Sequence, residues 1–270
     1  MGASVLMLVT NGFRPDPRVA KEAEALVKDG YDVTVLAWDR ENAFPDREEH
    51  RGAHIMRLRT GWAGSMLHFL INYPLFFLRG LIMALRREDD IVHSHDFDTF
   101  PLGFMVSWMK RIPLVFDAHE NYAQMISIDA PHIVPRLVLW MEGILTRRAD
   151  LVITVSEVHA AHMRPNARNG VVLVENCINV PSDVPEPEFK DRRLRLLYVG
   201  TLEPMRYILE SIDATRDIDG CVYEVAGWGR LEEDVRKRSD GSKVRFLGVL
   251  RHHDMLMRMA SSDVVLCLLD

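Results

Sequence analysis

Short apolar segments recur along this chain of 270 residues, and segments with helical spacing separate them. Val5–Val9 is a continuous apolar run and Tyr31–Ala37 is mostly apolar, while Val19, Ala23 and Leu26 share one helical face between them. Continuous apolar runs are typical of parallel strands that are covered on both faces. Strand, helix and strand in this order favour a right-handed crossover. The pattern therefore predicts an α/β fold with mainly parallel sheets.

The predicted helices carry recognisable end signals. Asp16 can cap the first helix, with Pro17 in its first turn, and Gly30 is placed to end it. Ser156 can cap a later helix directly after an apolar strand. Further strands are predicted at 90–93, 113–116, 151–155, 171–174, 194–199, 221–226, 244–247 and 264–269, and further helices at 102–109, 204–214, 230–238 and 252–260.

The chain divides at a proline-rich segment. Residues 180–187 hold three prolines among acids and a serine, which excludes a regular element there and indicates a linker. We predict an N-terminal Rossmann-like domain over residues 1–180, a linker over 181–193 and a C-terminal Rossmann-like domain over 194–270. The last segment has 77 residues, about half of an ordinary domain of this type, and is expected to be incomplete.

Composition excludes several function classes. The net charge of −6 gives no general attraction to nucleic acid, which requires clustered Lys and Arg. Cys177, Cys221 and Cys267 lie far apart, so neither a disulfide framework nor a zinc site of paired cysteines is indicated. The N-terminus runs into a strand without a basic region or cleavage signal, and we expect a cytoplasmic chain.

Ligands of parallel α/β sheets bind at the carboxyl ends of the strands, so the loops there decide the chemistry. The loop 11–16 has one glycine where a dinucleotide fingerprint has three. Gly227 and Gly229 also follow a strand, but Glu232 stands where the third glycine belongs and would repel a pyrophosphate. No nicotinamide or flavin cofactor is expected.

Histidines and acids follow two other strands. His93 and His95 point to one face of a predicted strand and Asp96 to the other, and a third convergent metal ligand is not visible. These residues fit a polar cleft edge or a structural role better than a metal site. His119, between Asp117 and Glu120, lies where it can bind a sugar hydroxyl or transfer a proton.

An ordered set of short motifs accompanies these loops. The motifs are Asp16-Pro17-Arg18-Val19, His95-Asp96, Asp117-Ala118-His119-Glu120, Val155-Ser156-Glu157, Glu175-Asn176-Cys177-Ile178, Val199-Gly200-Thr201-Leu202, Phe246-Leu247-Gly248 and Ser262-Asp263-Val264-Val265-Leu266. In this order the set resembles the family-4 glycosyltransferases of the GT-B fold, along the whole chain.

The resemblance implies transfer of a sugar from a nucleotide-sugar donor to a hydroxyl of a glycan or lipid-linked glycan. It also implies a retained anomeric configuration, no bound metal and no cofactor. His119 matches the catalytic histidine near the donor sugar. The implied donor-binding residues are Gly12, Gly200, Arg206, Gly227, Leu247 and Gly248. The implied acceptor-binding residues are Asp16, Arg18, His95, Asp96 and Glu120. We expect Gly12, His95 and His119 to face Gly200, Arg206 and Gly227 across one cleft.

The sequence also departs from the family pattern in the second domain, and these departures affect the expected donor affinity and stability. The family's pair of glutamates, eight positions apart, would follow Val264–Leu269, beyond the last residue of this sequence. Only Arg206 represents the usual Arg and Lys pair behind the first glycine of the second domain. We therefore expect weak nucleotide-sugar affinity and low stability of residues 194–270. Val264–Leu269 is expected to be a buried parallel strand because nearly every position is apolar.

One apolar segment leaves the membrane question open. Met66–Leu85 is mostly apolar, but Asn72, Pro74 and Arg79 interrupt it, which is unfavourable for a spanning helix. The segment can pack on the sheet or lie on the inner face of a membrane as a peripheral helix.

Two alternatives to glycosyl transfer are a sugar-nucleotide epimerase of the same fold and a non-catalytic fragment that binds an acceptor or partner.

Overall fold

The chain forms two units, a first unit over Met1–Cys177 and a second over Ile178–Asp270. The structure is a computed structural model, and it describes residues 2–14, 16–61, 66–119, 121–127, 131–177 and 193–268. Most of the predicted linker, together with Glu120, lies outside the described residues.

The first unit contains a sheet of eight described strands in the order β3-β4-β2-β1-β5-β6-β7-β8. All neighbouring strands are parallel except β3 and β4, which are antiparallel. The chain crosses to the other side of β1 when it enters β5, so β1 and β5 flank the topological switch point. The strands are β1 (Ser4–Val9), β2 (Asp32–Trp38), β3 (Arg47–His50), β4 (Ala53–Leu58), β5 (Ile91–His95), β6 (Leu114–Ala118), β7 (Leu151–Thr154) and β8 (Val171–Leu173).

Helices cover both faces of this sheet. The Asp16 carboxylate accepts a hydrogen bond from the Val19 N–H at 3.3 Å, and the Ser156 hydroxyl accepts one from the His159 N–H at 3.3 Å, so both predicted caps are confirmed. The helices are α1 (Pro17–Lys28), α2 (Met66–Leu85), α3 (Asp96–Lys110), α4 (Tyr122–Ile126), α5 (Ile133–Thr146) and α6 (Glu157–Met163). In the described part of the chain, no helix combines the length and the apolar character that crossing a bilayer requires.

The sheet separates two apolar clusters. Leu6 and Leu8 of β1 pack in the cluster that also contains side chains of α2, α3 and α5. Met7 and Val9 of the same strand pack in the cluster on the opposite face, together with Val19 of α1. Because alternate residues of a strand point to opposite faces, burial on both sides explains the continuous apolar run of β1.

Several elements of the first unit differ from the sequence predictions. Strand β3 was not predicted because Arg47–His50 is polar throughout, as an edge strand can be, and its partner β4 was not predicted either. Helices α4 and α5 were also missed. Asp96 is not a strand residue whose side chain points to the far face, since β5 ends at His95 and Asp96 begins α3 with a φ of +61°.

The second unit contains a parallel sheet of four described strands in the order β11-β10-β9-β12. The predicted alternation of strands and helices is confirmed here, with a 3₁₀ turn over Pro204–Arg206 before the first helix. The strands are β9 (Leu194–Thr201), β10 (Cys221–Trp228), β11 (Val244–Gly248) and β12 (Val264–Leu266), and the helices are α7 (Ile208–Arg216), α8 (Glu232–Arg238) and α9 (His252–Ala260).

The prediction of a buried last strand is wrong in one respect. β12 is parallel to β9, as expected, but Val264 and Val265 are each 40% exposed. Leu266 is half-buried against the core of the unit. Among the described strands β12 pairs only with β9, so it lies at the edge of the sheet, and edge strands receive less cover than central ones.

Candidate functional site

Titratable side chains of the first unit converge at the carboxyl ends of β5 and β6. His93 and His95 share one face of β5, as predicted, and their rings stack with centroids 4.2 Å apart. Asp117 lies in β6, and His119 follows the strand directly. Glu22 reaches the same place from α1. We call Glu22, His93, His95, Asp117 and His119 the histidine–carboxylate cluster.

The atoms of the cluster approach one another closely. His95 Nδ1 lies 3.2 Å from His119 Nε2, within hydrogen-bonding distance. Asp117 Oδ2 lies 3.6 Å from His119 Nε2, 3.7 Å from His95 Nδ1 and 3.6 Å from His93 Nε2. These three separations are ion-pair distances and are too long for hydrogen bonds. Neither carboxylate oxygen of Asp117 has a hydrogen-bond partner among the described residues.

Glu22 completes the cluster, although it was not among the predicted site residues. Its carboxylate lies 3.8 Å from His95 Nδ1 and 4.0 Å from His119 Nε2. A signal for it exists in the sequence, because Glu22 stands three residues after the buried Val19 and beside the buried Ala23. An acid in the apolar stripe of a helix requires a partner, which here is the cluster. Asp117 belongs to one of the short motifs but was not among the predicted site residues.

Burial controls the protonation of the cluster. Burial and the neighbouring Asp117 raise the pKa of Glu22 to about 9. Burial alone would raise the pKa of Asp117, but its interactions with His93, His95 and His119 outweigh burial and hold that pKa below its ordinary value. Burial also lowers the pKa of both His95 and His119. At neutral pH, Asp117 therefore carries the negative charge, Glu22 is protonated and both imidazoles are neutral.

Of the other predicted acceptor-side residues, Asp96, Asp16 and Arg18 lie around the cluster, while Glu120 lies outside the described residues. Asp96 Oδ1 accepts a hydrogen bond from the His119 N–H at 3.1 Å, which ties the loop after β6 to the start of α3. Asp16 is buried at the start of α1 and also binds the Asn11 amide at 2.8 Å. Arg18 is half-buried one turn before Glu22, and its positive charge acts on the pKa of Glu22.

Gly12 lies at the carboxyl end of β1, and its neighbours are on the β4 side of that strand. Its carbonyl oxygen accepts a hydrogen bond from Arg57 Nε at 2.9 Å. A Cβ at this position would meet the Phe44 ring at 2.8 Å, so close packing of that ring accounts for the glycine.

The second unit brings glycines together at the carboxyl ends of three adjacent strands. Gly200 of β9 pairs with Gly227 of β10, and Gly248 of β11 pairs with the residue before Gly227. A Cβ on Gly227 would lie 1.8 Å from the Gly200 carbonyl oxygen, and the φ of Gly227 is +146°. Leu247 is half-buried beside Gly248. Only glycine permits this approach of two backbones, which leaves them bare at the strand ends.

Arg206 follows β9 in the same unit. It ends the 3₁₀ turn and lies two residues before the first residue of α7. The free N–H groups of a helix N-terminus and a guanidinium together suit an anion. Five of the six predicted donor-binding residues thus lie at one end of the sheet in the second unit, whereas Gly12 lies in the first unit.

Four residues of the histidine–carboxylate cluster also have the chemistry of a metal site. Glu22, His95, Asp117 and His119 each offer one ligand atom, and these atoms lie within 4.8 Å of one another.

The sequence matches a known family over most of the first unit. Residues 15–177 match the family described as a glycosyl transferase 4-like domain. An uncharacterized glycosyltransferase of Methanocaldococcus jannaschii is 24% identical over 280 residues, which cover 90% of this chain and 67% of that protein.

Solved structures share the fold. Sucrose-phosphate synthase from Thermosynechococcus elongatus gives a TM-score of 0.76 at 17% identity, covering 97% of this chain and 74% of that one. Anabaena HepE, in complex with UDP and glucose, gives 0.66 at 15% identity, covering 97% and 73%. The catalytic domain of Arabidopsis thaliana starch synthase IV, bound to ADP and acarbose, gives 0.68 at 14% identity, covering 98% and 78%. These similarities confirm the predicted GT-B fold of Rossmann-like domains.

Proposed function

Since this chain belongs to the glycosyl transferase 4-like family and is a glycosyltransferase, we propose that it uses a nucleotide-sugar donor and a hydroxyl acceptor. The observation that carries the proposal is the position of His119. It is buried at the carboxyl end of β6, beside the switch strand β5, where α/β sheets bind their ligands. The acceptor is a glycan or a lipid-linked glycan.

His119 acts through its two ring nitrogens. Nε2 faces Asp117 and Glu22, while Nδ1 has no hydrogen-bond partner among the described residues. Because burial lowers its pKa, the ring is neutral at neutral pH and can either donate or accept a hydrogen bond. We assign Nδ1 to a hydroxyl of the reacting sugar, with Asp96 holding the loop of His119 in place.

The second unit stabilises the leaving group. Bond cleavage places negative charge on a nucleoside diphosphate, and preorganised donors stabilise such charge. Arg206 and the N-terminus of α7 supply a cation and free N–H groups, while the glycine pair Gly200 and Gly227 permits close approach. Anabaena HepE in complex with UDP-glucose and starch synthase IV bound to ADP support a nucleotide donor. Transfer then needs no divalent ion on the diphosphate and, as the family resemblance implies, retains the anomeric configuration.

Transfer is tested with a panel of UDP-, ADP- and GDP-sugars, with and without glycan and lipid-linked acceptors. We expect a glycosylated acceptor with the donor's anomeric configuration by NMR, at a rate that added Mg²⁺ or Mn²⁺ does not change. Epimerised donor in the absence of an acceptor would indicate an epimerase instead. No reaction with any donor would contradict the proposal.

Exposed apolar side chains support peripheral contact with a membrane on its cytoplasmic face. Ile71, Leu75, Leu78 and Ile82 are exposed on α2 at intervals of four, three and four residues. Ile133, Leu137, Trp140 and Ile144 repeat these intervals on α5. Such stripes are typical of helices that lie in a membrane interface, and α2 and α5 both pack against α3.

Vesicle co-sedimentation tests this contact. With vesicles that contain anionic lipid, the wild-type chain should sediment and the variant Ile71→Glu/Leu78→Glu should stay in solution, because each charge opposes burial in the interface. Ile218→Glu, which changes an exposed apolar residue of the second unit, is the control and should sediment as wild type does. Equal sedimentation of all three chains would contradict membrane contact through α2.

A further inference from the structure

Four side chains of the histidine–carboxylate cluster are arranged around one point. His95 Nδ1 and His119 Nε2 lie 3.2 Å apart, and Asp117 Oδ2 lies 3.7 Å from the first and 3.6 Å from the second. Glu22 Oε2 lies 3.8 Å from His95 Nδ1, and Glu22 Oε1 lies 4.0 Å from His119 Nε2. One ligand atom from each of the four residues lies within 4.8 Å of the other three. A tetrahedral ion with bonds of about 2.0–2.1 Å separates its ligand atoms by about 3.3–3.4 Å. The five separations that involve an imidazole nitrogen lie within about 0.7 Å of that spacing.

The surroundings of these atoms favour a cation. Asp117 is 1% exposed, and both of its carboxylate oxygens are buried without a hydrogen-bond partner among the described residues. Glu22 Oε2 is buried in the same way. Buried carboxylates are usually paired with a cation or coordinate a metal, because an uncompensated buried charge is costly.

The ligand types select the class of ion. Two imidazole nitrogens suit zinc and similar transition metals, and two carboxylate oxygens complete a four-coordinate set with no cysteine. When the ion binds, it displaces the proton of Glu22, and the two carboxylates then neutralise the charge of a divalent ion. His93 lies 3.6 Å from Asp117 Oδ2 and 3.9 Å from Glu22 Oε2, where it can orient both carboxylates from outside the set.

We propose that Glu22, His95, Asp117 and His119 bind one divalent transition-metal ion of the zinc type. The site goes beyond the proposed transfer reaction, because the ion binds His119 through Nε2 and leaves Nδ1 for the sugar. It joins α1 to the carboxyl ends of β5 and β6 and stabilises the first unit. Metal on the donor diphosphate is a separate question, which the transfer assay with Mg²⁺ and Mn²⁺ answers.

The test uses the 270-residue chain, freed of metal with a chelator. We expect this chain to bind one equivalent of Zn²⁺ in competition with a chromophoric chelator. Its unfolding temperature should increase as the Zn²⁺ concentration rises, because the ion binds only the folded state. Co²⁺ should give the visible absorption bands of a four-coordinate site. None of these readouts depends on transfer, so their failure leaves the proposed function intact.

Variants locate the ion. Glu22→Gln and Asp117→Asn keep the side-chain shapes and should each lower the Zn²⁺ affinity on the order of 100-fold, the upper end of what loss of even an outer partner produces. Glu24→Gln, on the same helix but ion-paired with Lys28 and Arg51, should bind Zn²⁺ as the wild type does. So should His252→Ala/His253→Ala, which removes two adjacent histidines of the second unit.

Two results would overturn the proposal. One is the absence of stoichiometric Zn²⁺ binding by a wild-type chain whose circular dichroism and thermal unfolding show that it is folded. The other is unchanged affinity in folded Glu22→Gln and Asp117→Asn, together with loss of affinity in His252→Ala/His253→Ala. Either result would leave Glu22 and Asp117 as a buried acid pair that shares a proton.

Discussion

The first unit buries polar and charged side chains at the carboxyl end of its sheet, whereas the second unit brings bare backbone together at the same end of its own. Within the described part of the chain, every buried Asp, Glu, His, Arg, Ser or Thr side chain belongs to the first unit. In the second unit, Gly200 and Gly227 approach so closely that no side chain fits between them.

This difference separates two kinds of sensitivity. The stability and activity of the first unit should depend on pH and on single side chains, because the charge states of buried titratable groups change with their surroundings. The stability of the second unit should depend on side-chain volume and backbone φ at its glycines, because an added methyl group would clash where two backbones approach closely. Substitutions can therefore test each unit separately.

The largest effect should follow loss of His119. His119→Ala should lower the transfer rate by about 10²–10⁴-fold, the range typical of a positioned acid or base. His162→Ala is the matched control, since His162 is exposed near the end of α6 and should leave the rate unchanged. A His119→Ala enzyme with the same transfer rate as the control would contradict the catalytic role assigned to His119.

The next effect concerns the backbone of the second unit. Gly227→Ala should lower the free energy of unfolding of that unit by about 3 kcal/mol or more, because the new methyl group clashes with the Gly200 carbonyl and φ is +146°. Gly220→Ala tests the conformation alone, as its φ is +71° with open space around the Cβ, and should cost about 1–2 kcal/mol. Equal losses of unfolding free energy for Gly227→Ala and Gly220→Ala in urea would show that the close approach of Gly227 to the Gly200 backbone is unimportant.

A smaller effect should appear as a pH dependence of the first unit. Burial raises the pKa of Glu142 on α5 to about 7, above its ordinary value of 4.5. The folded state therefore binds this proton more tightly, so its stabilising contribution is lost as pH rises from about 5 to about 7. Glu142→Gln should exceed the wild type in stability by about 1–3 kcal/mol more at pH 8 than at pH 5. A pH-independent difference between the two chains would contradict this.

The smallest effect distinguishes the helix ends. The Ser156 hydroxyl caps α6, whereas α7, α8 and α9 of the second unit have no side-chain cap. Ser156→Ala should cost about 1 kcal/mol of unfolding free energy. Arg251→Ala, at the uncapped start of α9, should change it by less than about 0.5 kcal/mol. Comparable losses in chemical denaturation would indicate that the cap contributes nothing.

Local signals explain which elements could be predicted. The apolar run of β1, the Asp16 and Ser156 caps and the shared face of His93 and His95 depend on residues close in sequence, and the structure has all of them. The edge strand β3 is polar, so periodicity could not reveal it. Val264 is exposed because β12 lies at the edge of the sheet, and the apolar sequence alone does not distinguish an edge strand from a central one.

The histidine–carboxylate cluster marks the limit of sequence analysis. The sequence predicted only that His95 and His119 would lie on one side of a cleft, and the pairing of β5 with β6 brings them together. Glu22 joins them only through the packing of α1 on the sheet, across 73 residues of sequence from His95. The place of Glu22 in the apolar stripe of α1 indicates only that it needs a partner, and the fold is required to identify His95, Asp117 and His119 as its neighbours.

Nucleotide binding tests the division between the units most directly. Calorimetry with UDP, ADP and GDP on the wild type, His119→Ala and Arg206→Ala should show that His119→Ala keeps its nucleotide affinity within about threefold. Arg206→Ala should lose about 10–100-fold, the range for removing one charged hydrogen-bond partner of the diphosphate. Loss of nucleotide affinity in His119→Ala with full affinity in Arg206→Ala would contradict the assignment of the donor to the second unit.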